Sequence, residues 1–428
     1  MSTEVFIIDG ARTPFLKARN VPGPFSASDL AVAAGRTLLL RQPFAADQLD
    51  EVILGCASPS ADEVNIGRVA ALRMGCGDKV PAWTVMRNCA SGMQALDSAL
   101  VNIRGGRSQL VLAGGVDALS RAPLLLSDAM VRTLAAWNAA KSPAARFAVL
   151  RSFRLSQLAP VIGILKGLTD PVVGQLMGQT AETLAWKFGI TREQMDEFAM
   201  NSHLRAHAAD EAGHFSAERS ALIGRDGKVY VQDDGIRADS SMAGLAKLKP
   251  FFDRRYGRVT AGNSSQITDG ACWLLLASAE AVERFGLQPL GRLVDCEWAA
   301  LAPEVMGLGP VHASVPLLQR HGLGVSDVDA WELNEAFAAQ VLGCLRAFAD
   351  DDYCREHFGL DAAFGAPDPA RLNIDGGAIA LGHPVGASGA RIVLHLLHVL
   401  RRRQLRRGVA TICIGGGQGG AMLVEAMQ

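Results

Sequence analysis

The sequence contains no apolar run of the roughly 18 residues that a membrane-spanning helix requires. Its formal net charge of -1 removes any whole-chain electrostatic argument for a nucleic-acid partner. The amino-terminal segment carries Glu4 where a secretory signal would carry positive charge. From these absences we expect a cytoplasmic protein that binds no nucleic acid.

Paired cysteines are also missing. The eight cysteines are scattered along the chain, with no C-x-x-C pair and no cysteine-histidine cluster at zinc-binding spacing. We therefore predict no metal site, and we expect most of the thiols to be reduced and structural.

What the chain does have is apolar sequence in alternating strand and helix patterns. Its 428 residues, 49% of them hydrophobic, can bury a large core in two or three domains. Short apolar runs predict strands at residues 5–8, 51–54, 83–86 and 109–113, and a helix at 29–40 capped by Ser28. The later part predicts strands at 272–276, 292–295, 330–333, 371–374 and 411–414, and a helix at 387–401. This order predicts an α/β fold.

Two short matches indicate an internal duplication. Ala-Ser-Gly stands at 90–92 and again at 387–389, each time at a predicted helix start that is followed by a strand ending in glycines. So short a match can arise by chance, but its agreement with the order of elements favours two similar halves. Such halves would bring two helix starts to a pseudo-twofold axis.

Between the halves, from about residue 120 to 250, the composition predicts an inserted domain of helices and loops. Helices are predicted at 178–188 and 192–209, the second with Thr191 and Gln194 as a capping box. Residues 129–169 contain no Asp or Glu but six Lys or Arg among many apolar residues. Such a segment can lie on a membrane surface, dock a partner or meet an anionic ligand, or it can be a solvated helical excursion.

Cys89 is the first candidate for chemistry. It stands between a strand-like run and a helical pattern, where free backbone N–H groups and the helix dipole favour a thiolate. The alternative is a small buried apolar residue beneath a turn.

Three later positions are polar or reactive residues at strand ends or in glycine-rich turns. Asn334 lies between a strand and a helix, as an N-cap or as a functional group. His383 lies in a glycine-rich stretch, where Pro384 favours an extended backbone and imidazole suits proton transfer near neutral pH. Cys413 precedes three glycines, as a reactive thiol or as a buried strand cysteine.

Together these segments resemble the thiolase family. The resemblance is carried by DGARTPF at Asp9, NCASGMQA at Asn88, MGQTAE at Met177, TAGNSSQITDGA at Thr260, NEAFA at Asn334, GGAIALGHPVGASGAR at Gly376 and CIGGGQGGAM at Cys413. It implies a thiolase fold: two duplicated strand-helix halves in five layers, αβαβα, with an inserted helical loop domain. The corresponding domains are 1–120, 121–252 and 253–428. It also implies coenzyme A as a substrate and no permanently bound cofactor.

The resemblance also implies roles for individual residues. Cys89 would accept the acyl group, His383 would remove its proton, and Cys413 would exchange a proton with the acetyl α-carbon or the leaving thiol. Asn334 would hold a water beside His383 in one oxyanion site, and the N–H groups of Cys89 and Gly415 would form the other. Matching positions for coenzyme A binding are Arg237, Phe252, Ala261, Ser265, Met177 and Phe337.

The insert is most similar to the β subunit of the fatty-acid oxidation trifunctional complex and its bacterial relatives. Two positions depart from the pattern of one or the other branch of the family. Leu176 replaces a histidine usual in biosynthetic enzymes, and Asn334 replaces a histidine usual in the trifunctional branch. We favour a 3-ketoacyl-CoA thiolase of β-oxidation over acetoacetyl-CoA synthesis. A ketoacyl synthase and a non-catalytic acyl-CoA-binding subunit are further alternatives.

The resemblance implies partners as well. It predicts a homodimer or homotetramer, and segment 129–169 is a candidate contact for a hydratase/dehydrogenase α subunit or a membrane surface.

Overall fold

The computed structural model describes residues 4–19 and 21–427. Its strands are β1 (Val5–Arg12), β2 (Leu16–Lys17), β3 (Glu51–Gly55), β4 (Ala82–Val85), β5 (Leu110–Ala118), β6 (Leu124–Leu125), β7 (Val161–Ile162), β8 (Leu222–Ile223), β9 (Val229–Tyr230), β10 (Thr268–Ser278), β11 (Gly291–Ala300), β12 (Ala330–Leu333), β13 (Arg407–Ile414) and β14 (Gln418–Ala426). Its α-helices are α1 (Ala27–Leu40), α2 (Ile66–Met74), α3 (Ser91–Arg104), α4 (Asp128–Ala139), α5 (Pro143–Ser152), α6 (Gly163–Gly167), α7 (Met177–Lys187), α8 (Arg192–Glu211), α9 (Met242–Leu245), α10 (Ala279–Phe285), α11 (Gly309–Arg320), α12 (Ala338–Phe348), α13 (Asp351–Phe358), α14 (Ala378–Leu381) and α15 (Val385–Arg402).

The main sheet consists of two halves with the same strand order. The first half runs β1-β10-β5-β3-β4, with two antiparallel pairings followed by two parallel ones. The second half runs β11-β14-β13-β12, with two antiparallel pairings followed by a parallel one. The halves join where Phe6 and Ile7 of β1 pair with β11. This repeated order agrees with the duplication that the sequence predicted.

Helices α3 and α15 form the central layer of the molecule. Their apolar side chains, among them Leu96 and Leu394, share one core cluster with inward-facing residues from both half-sheets. The alternate residues of the first half-sheet pack against α1 and α2, and those of the second pack against α11 and α12. The order helix, sheet, helix, sheet, helix is the predicted αβαβα arrangement.

Between β5 and β10 the chain forms helices α4 to α9 and two short ribbons, β6-β7 and β8-β9. The capping box of α8 is present, since Thr191 Oγ1 accepts from the Gln194 N–H and Gln194 Oε1 accepts from the Thr191 N–H. The ribbons were not predicted, because each strand has only two residues. The domain divisions at 120 and 252 stay predictions. Among the described residues, no helix combines the length and apolar character needed to cross a bilayer.

Two local predictions are wrong. Helix α1 is capped by Ser26, whose Oγ accepts from the Asp29 N–H at 3.1 Å, whereas Ser28 is already inside the helix. Strand β5 does not end at its glycines but continues to Ala118. A Cβ at Gly115 would lie 1.9 Å from the Gly386 carbonyl oxygen. Gly115 therefore lets α15 approach the strand closely rather than ending it.

The strand predicted at 371–374 is also wrong. Only Leu372 makes a bridge, parallel to Trp331 of β12, which is where the fifth strand of the second half would lie. Asn373 has φ +45° and its side chain pairs with both backbone groups of Leu333. The Asn373 side chain therefore makes the hydrogen bonds that the backbone of a fifth strand would make.

Candidate active site

Cys89 lies where the sequence placed it, in the turn between β4 and α3. Asn88 takes φ +44°, and its Nδ2 donates to the Gly415 carbonyl at 2.8 Å. Ser91 Oγ accepts from the Arg87 N–H at 2.9 Å and donates to the Asn88 carbonyl at 2.7 Å. These bonds fix the turn and fasten it to the glycine loop after β13.

The expected thiolate is not supported at this position. Burial raises the pKa of the Cys89 thiol, and a hydrogen bond from the Gly415 N–H only partly offsets the effect. The helix start is therefore insufficient to ionise Cys89, and the thiol needs a base.

Cys413 is the penultimate residue of β13 and is buried. Burial, followed by the neighbouring Cys89 sulfur, raises the pKa of Cys413 well above its ordinary value. After it, Gly416 and Gly417 adopt φ +93° and +79° to turn the chain into β14. The Met177 sulfur also lies against this turn, 3.1 Å from a Cβ built on Gly415. The Cys413 thiol therefore lies beneath a tight turn and near the Cys89 thiol.

His383 lies two residues before the start of α15 and next to its N-cap, Pro384. Its Nδ1 lies 2.6 Å from Ser388 Oγ, and Ser388 Oγ donates its one proton to the Pro384 carbonyl at 3.1 Å. With that donation in place we infer that Ser388 accepts from Nδ1–H, which leaves Nε2 as the basic nitrogen. Nε2 is buried and has no hydrogen-bond partner within the described part of the chain. Burial, and then the charge of Arg391, lowers the pKa of His383 to about 4, so the ring is neutral near pH 7.

Asn334 follows β12, and its backbone N–H donates to the Thr411 carbonyl at 2.9 Å, two residues before Cys413. The N-cap interpretation is wrong, because α12 starts four residues later and its N-cap is Phe337. Neither Asn334 side-chain atom Oδ1 nor Nδ2 has a hydrogen-bond partner in residues 4–19 and 21–427, although both are buried. The amide is therefore available to a bound group.

The start of α15 lies against the start of α3. A Cβ at Gly92 would be 2.7 Å from the Gly386 carbonyl oxygen, so backbone meets backbone between the two helices. Asp117 of β5 closes this junction, accepting from the N–H groups of Gly386 and Ser58. Burial raises the pKa of Asp117 to about 6. Cys89 and His383 are thus held at one junction by residues from three segments.

The residues predicted to bind coenzyme A divide into two groups. Met177, Phe252 and Phe337 pack in the same apolar cluster as Cys413, with the two phenylalanine rings edge to face at 6.0 Å. Ser265 is beside them, its N–H donating to the Ala336 carbonyl at 3.0 Å. Ala261 and Arg237 are exposed.

Sequence reasoning missed Ser388, Asp117 and Glu335. Ser388 was noted only as part of a repeat, although its place five residues after His383 on the same helix start was a signal. Asp117 and Glu335 are carboxylates within or beside apolar strands, a pattern that predicts burial with partners. Their partners lie far away in sequence, so no local signal named them.

Comparisons with known proteins point to one family. Residues 5–280 match the family model for the thiolase N-terminal domain, and residues 287–426 match the model for the thiolase C-terminal domain. The mitochondrial trifunctional enzyme subunit beta of Bos taurus is 37% identical over 99% of this chain and 88% of its own length. A 3-ketoacyl-CoA thiolase of Yersinia pestis (strain Pestoides F) is 36% identical over 98% of this chain and 96% of its own.

Solved structures give the same result. The Bacillus anthracis acetyl-CoA acetyltransferase superposes with a TM-score of 0.85 at 35% identity, covering 100% of this chain and 99% of that one. Human mitochondrial 3-ketoacyl-CoA thiolase in complex with CoA superposes with a TM-score of 0.84 at 33% identity, covering 100% and 98%. The chain belongs to the thiolase family.

Proposed function

We propose that this protein is a 3-ketoacyl-CoA thiolase of fatty-acid β-oxidation. It cleaves 3-ketoacyl-CoA with coenzyme A to give acetyl-CoA and an acyl-CoA shortened by two carbons. The observation that carries the proposal is the combination of two neighbouring thiols, Cys89 and Cys413, with a buried neutral imidazole whose free nitrogen is basic. Breaking a carbon–carbon bond beside a thioester needs a nucleophile and a separate acid.

In the first half-reaction His383 Nε2 takes the proton of Cys89. The thiolate then attacks the 3-keto carbon, the bond between carbons 2 and 3 breaks, and Cys413 gives its proton to the acetyl-CoA carbanion. In the second half-reaction Cys413 removes the proton of the coenzyme A thiol, which attacks the acyl group on Cys89. The acyl–sulfur bond to Cys89 then breaks, and the Cys89 thiolate takes its proton back from His383. Both thiols and the neutral imidazole are thereby regenerated.

Each half-reaction places negative charge on an oxygen, and the chain offers two sets of donors. The N–H groups of Cys89 and Gly415 form one; the backbone of Gly415 already opposes the rise in the pKa of the Cys89 thiol. Protonated His383 forms the other, together with a water held by the Asn334 amide. Loss of one such donor typically lowers the rate about a hundredfold to a thousandfold.

We place the pantetheine arm of coenzyme A along Met177, Phe252, Phe337 and Ser265. Arg237 and Ala261, which are exposed, would meet the nucleotide end. A guanidinium is suited to a phosphate. The solved thiolase with CoA supports coenzyme A as substrate.

The test is a thiolysis assay of purified protein across 3-ketoacyl-CoA chain lengths, with condensation of acetyl-CoA measured in parallel. Acetoacetyl-CoA synthesis is the second candidate, favoured by Asn334 and by the likeness to an acetyl-CoA acetyltransferase. Faster cleavage of medium or long chains supports the degradative function. Activity confined to four-carbon substrates, with efficient condensation, favours the second candidate.

The same protein preparation separates the remaining alternatives. Iodoacetamide that labels Cys89 selectively, with protection by an acyl-CoA, supports catalysis; slow equal labelling of all cysteines indicates a non-catalytic subunit. A ketoacyl synthase would not depend on Cys413.

We further propose that segment 129–169 docks the α subunit of a hydratase/dehydrogenase, or failing that a membrane surface. The segment presents apolar side chains to solvent, among them Phe147 and Leu155, which are 69% and 79% exposed. Its cations are Arg132, Lys141, Arg146, Arg151, Arg154 and Lys166. The name of the bovine relative, a trifunctional enzyme subunit, supports a protein partner.

Deletion of residues 146–166 tests this surface. Copurification of a hydratase/dehydrogenase, or binding to vesicles containing anionic lipid, should weaken; Arg225→Gln, an exposed charge outside the segment, is the control. Unchanged behaviour in both assays contradicts the proposal.

We also propose a homodimer or homotetramer in the cytoplasm. Strand β4 is an edge of the sheet as described for residues 4–19 and 21–427, so its outer backbone groups are open to a second copy. All eight cysteines are free thiols, which suits a reducing compartment. Light scattering checks the oligomeric state, and cell fractionation checks the cytoplasmic location.

A further inference from the structure

Glu335, the residue after Asn334, is 1% exposed and connects three segments of the chain. Its Oε1 accepts from Asn373 Nδ2 at 2.8 Å. Its Oε2 accepts from Ser202 Oγ at 2.6 Å and from the Ile379 N–H at 3.2 Å. The carboxylate therefore joins the loop that carries Asn334 to the loop that leads to His383.

Ser202 belongs to helix α8 of the insert and contacts both loops. Besides donating to Glu335, its Oγ accepts from the Gly377 N–H at 3.1 Å. The backbone is packed tightly here: a Cβ at Gly377 would lie 2.4 Å from Glu335 Cδ, and one at Gly376 would lie 2.4 Å from the Ser202 carbonyl oxygen. Little slack remains for the two loops to shift separately.

We infer that Ser202 and Glu335 are a positioning pair, which sets the Asn334 amide relative to the His383 imidazole and ties both to the insert. The inference rests on the proposed function for what these two groups do. Neither Ser202 nor Glu335 touches the reacting atoms. They act by holding two loops whose mutual displacement of about 1 Å can cost about a hundredfold in rate.

Substitution Ser202→Ala removes both hydroxyl bonds and leaves the catalytic groups in place. We expect kcat for thiolysis to fall about tenfold to a hundredfold, with KM for coenzyme A within about twofold of wild type. Alkylation of Cys89 by iodoacetamide, measured without substrate, should slow because the base is displaced. Asn201→Ala, at an exposed neighbour on the same helix, is the matched control and should change neither rate.

Ser202→Thr tests the hydroxyl separately from packing. Ser202 borders a cavity of about 160 Å³ lined also by Phe198 and Leu342, so the extra methyl has room. We expect threonine to restore kcat. Glu335→Gln keeps the size of the side chain but lacks one acceptor. It should lower kcat and slow alkylation as Ser202→Ala does, and it provides the test if Ser202→Ala does not fold.

Two results would overturn the inference. One is a folded Ser202→Ala protein with kcat and alkylation rate within about twofold of the Asn201→Ala control. The other is a Ser202→Thr protein as impaired as the alanine variant. Failure of the proposed function looks different, since wild-type protein would then lack thiolysis altogether; the alkylation rates would still measure the effect of the pair on Cys89.

Discussion

Replacement of Ser388 by alanine tests how His383, the proposed catalytic base, is oriented. The hydroxyl lies 2.6 Å from His383 Nδ1 in a buried site and donates onward to the Pro384 carbonyl. Without it, Nδ1–H loses its acceptor, and the neutral ring gains freedom to carry its proton on Nε2. In that tautomer Nε2 is already protonated and cannot accept the proton of Cys89.

The size of the effect follows from the lost bond. A buried donor left without a partner costs about 1–3 kcal/mol, and each 1.4 kcal/mol corresponds to about tenfold in rate. We therefore expect Ser388→Ala to slow acylation of Cys89 by about 5- to 150-fold. The assay is single-turnover acylation with acetyl-CoA, followed by mass spectrometry of the modified peptide.

Ser314→Ala is the matched control for this prediction. Ser314 is also fully buried, and its Oγ has no hydrogen-bond partner among the described residues. It should leave acylation unchanged. Acylation by Ser388→Ala at a rate within twofold of this control would refute the assignment of Nε2 as the base through Ser388.

Further expected outcomes concern Cys413, the base and a buried histidine of α15. Cys413→Ala should lower thiolysis at least about a hundredfold while Cys89 is still acetylated, and Cys296→Ala should retain both; near wild-type thiolysis would contradict the role of Cys413. Since the pKa of His383 is about 4 and the base must be neutral, acylation should persist to about pH 5 and fall as the pH drops through about 4; a midpoint at the ordinary value of 6.5 would contradict this. Burial opposes the charge of His395, but Glu218 and Asp375 outweigh it and raise its pKa to about 10. Its contribution to stability is therefore fully present below pH 6.5 and lost as the pH rises towards 10. The melting temperature should fall over this window, and the fall should be smaller in His395→Gln; equal falls would refute the linkage.

The order of elements was largely predictable because strand and helix periods are local properties. Strands at β3, β12 and β13 and the capping box of α8 followed from short windows of sequence. The errors lie where a distant segment intervenes. Gly114 and Gly115 resemble a strand end until α15 is seen packed against Gly115. Residues 371–374 resemble a strand until the Asn373 side chain takes over the pairing with Leu333.

The candidate site shows the same division. The motifs around Cys89, His383, Asn334 and Cys413 named the candidate reactive groups, since those residue types are unusual in such glycine-rich settings. The sequence pointed to a thiolate at Cys89 from its helix start, but the folded protein buries this thiol and raises its pKa. The need for a base follows from that burial.

By itself, the sequence determined the family, the duplicated α/β plan and the identity of the groups available for chemistry, because each is written in contiguous residues. Only the tertiary structure decided which hydrogen-bond partners and neighbours these groups have. It paired Nδ1 of His383 with Ser388 and left Nε2 without a partner among the described residues. It also freed the Asn334 amide from helix capping and placed Glu335 between two loops and α8. These properties depend on burial and on contacts between segments far apart in the chain, which a local pattern does not contain.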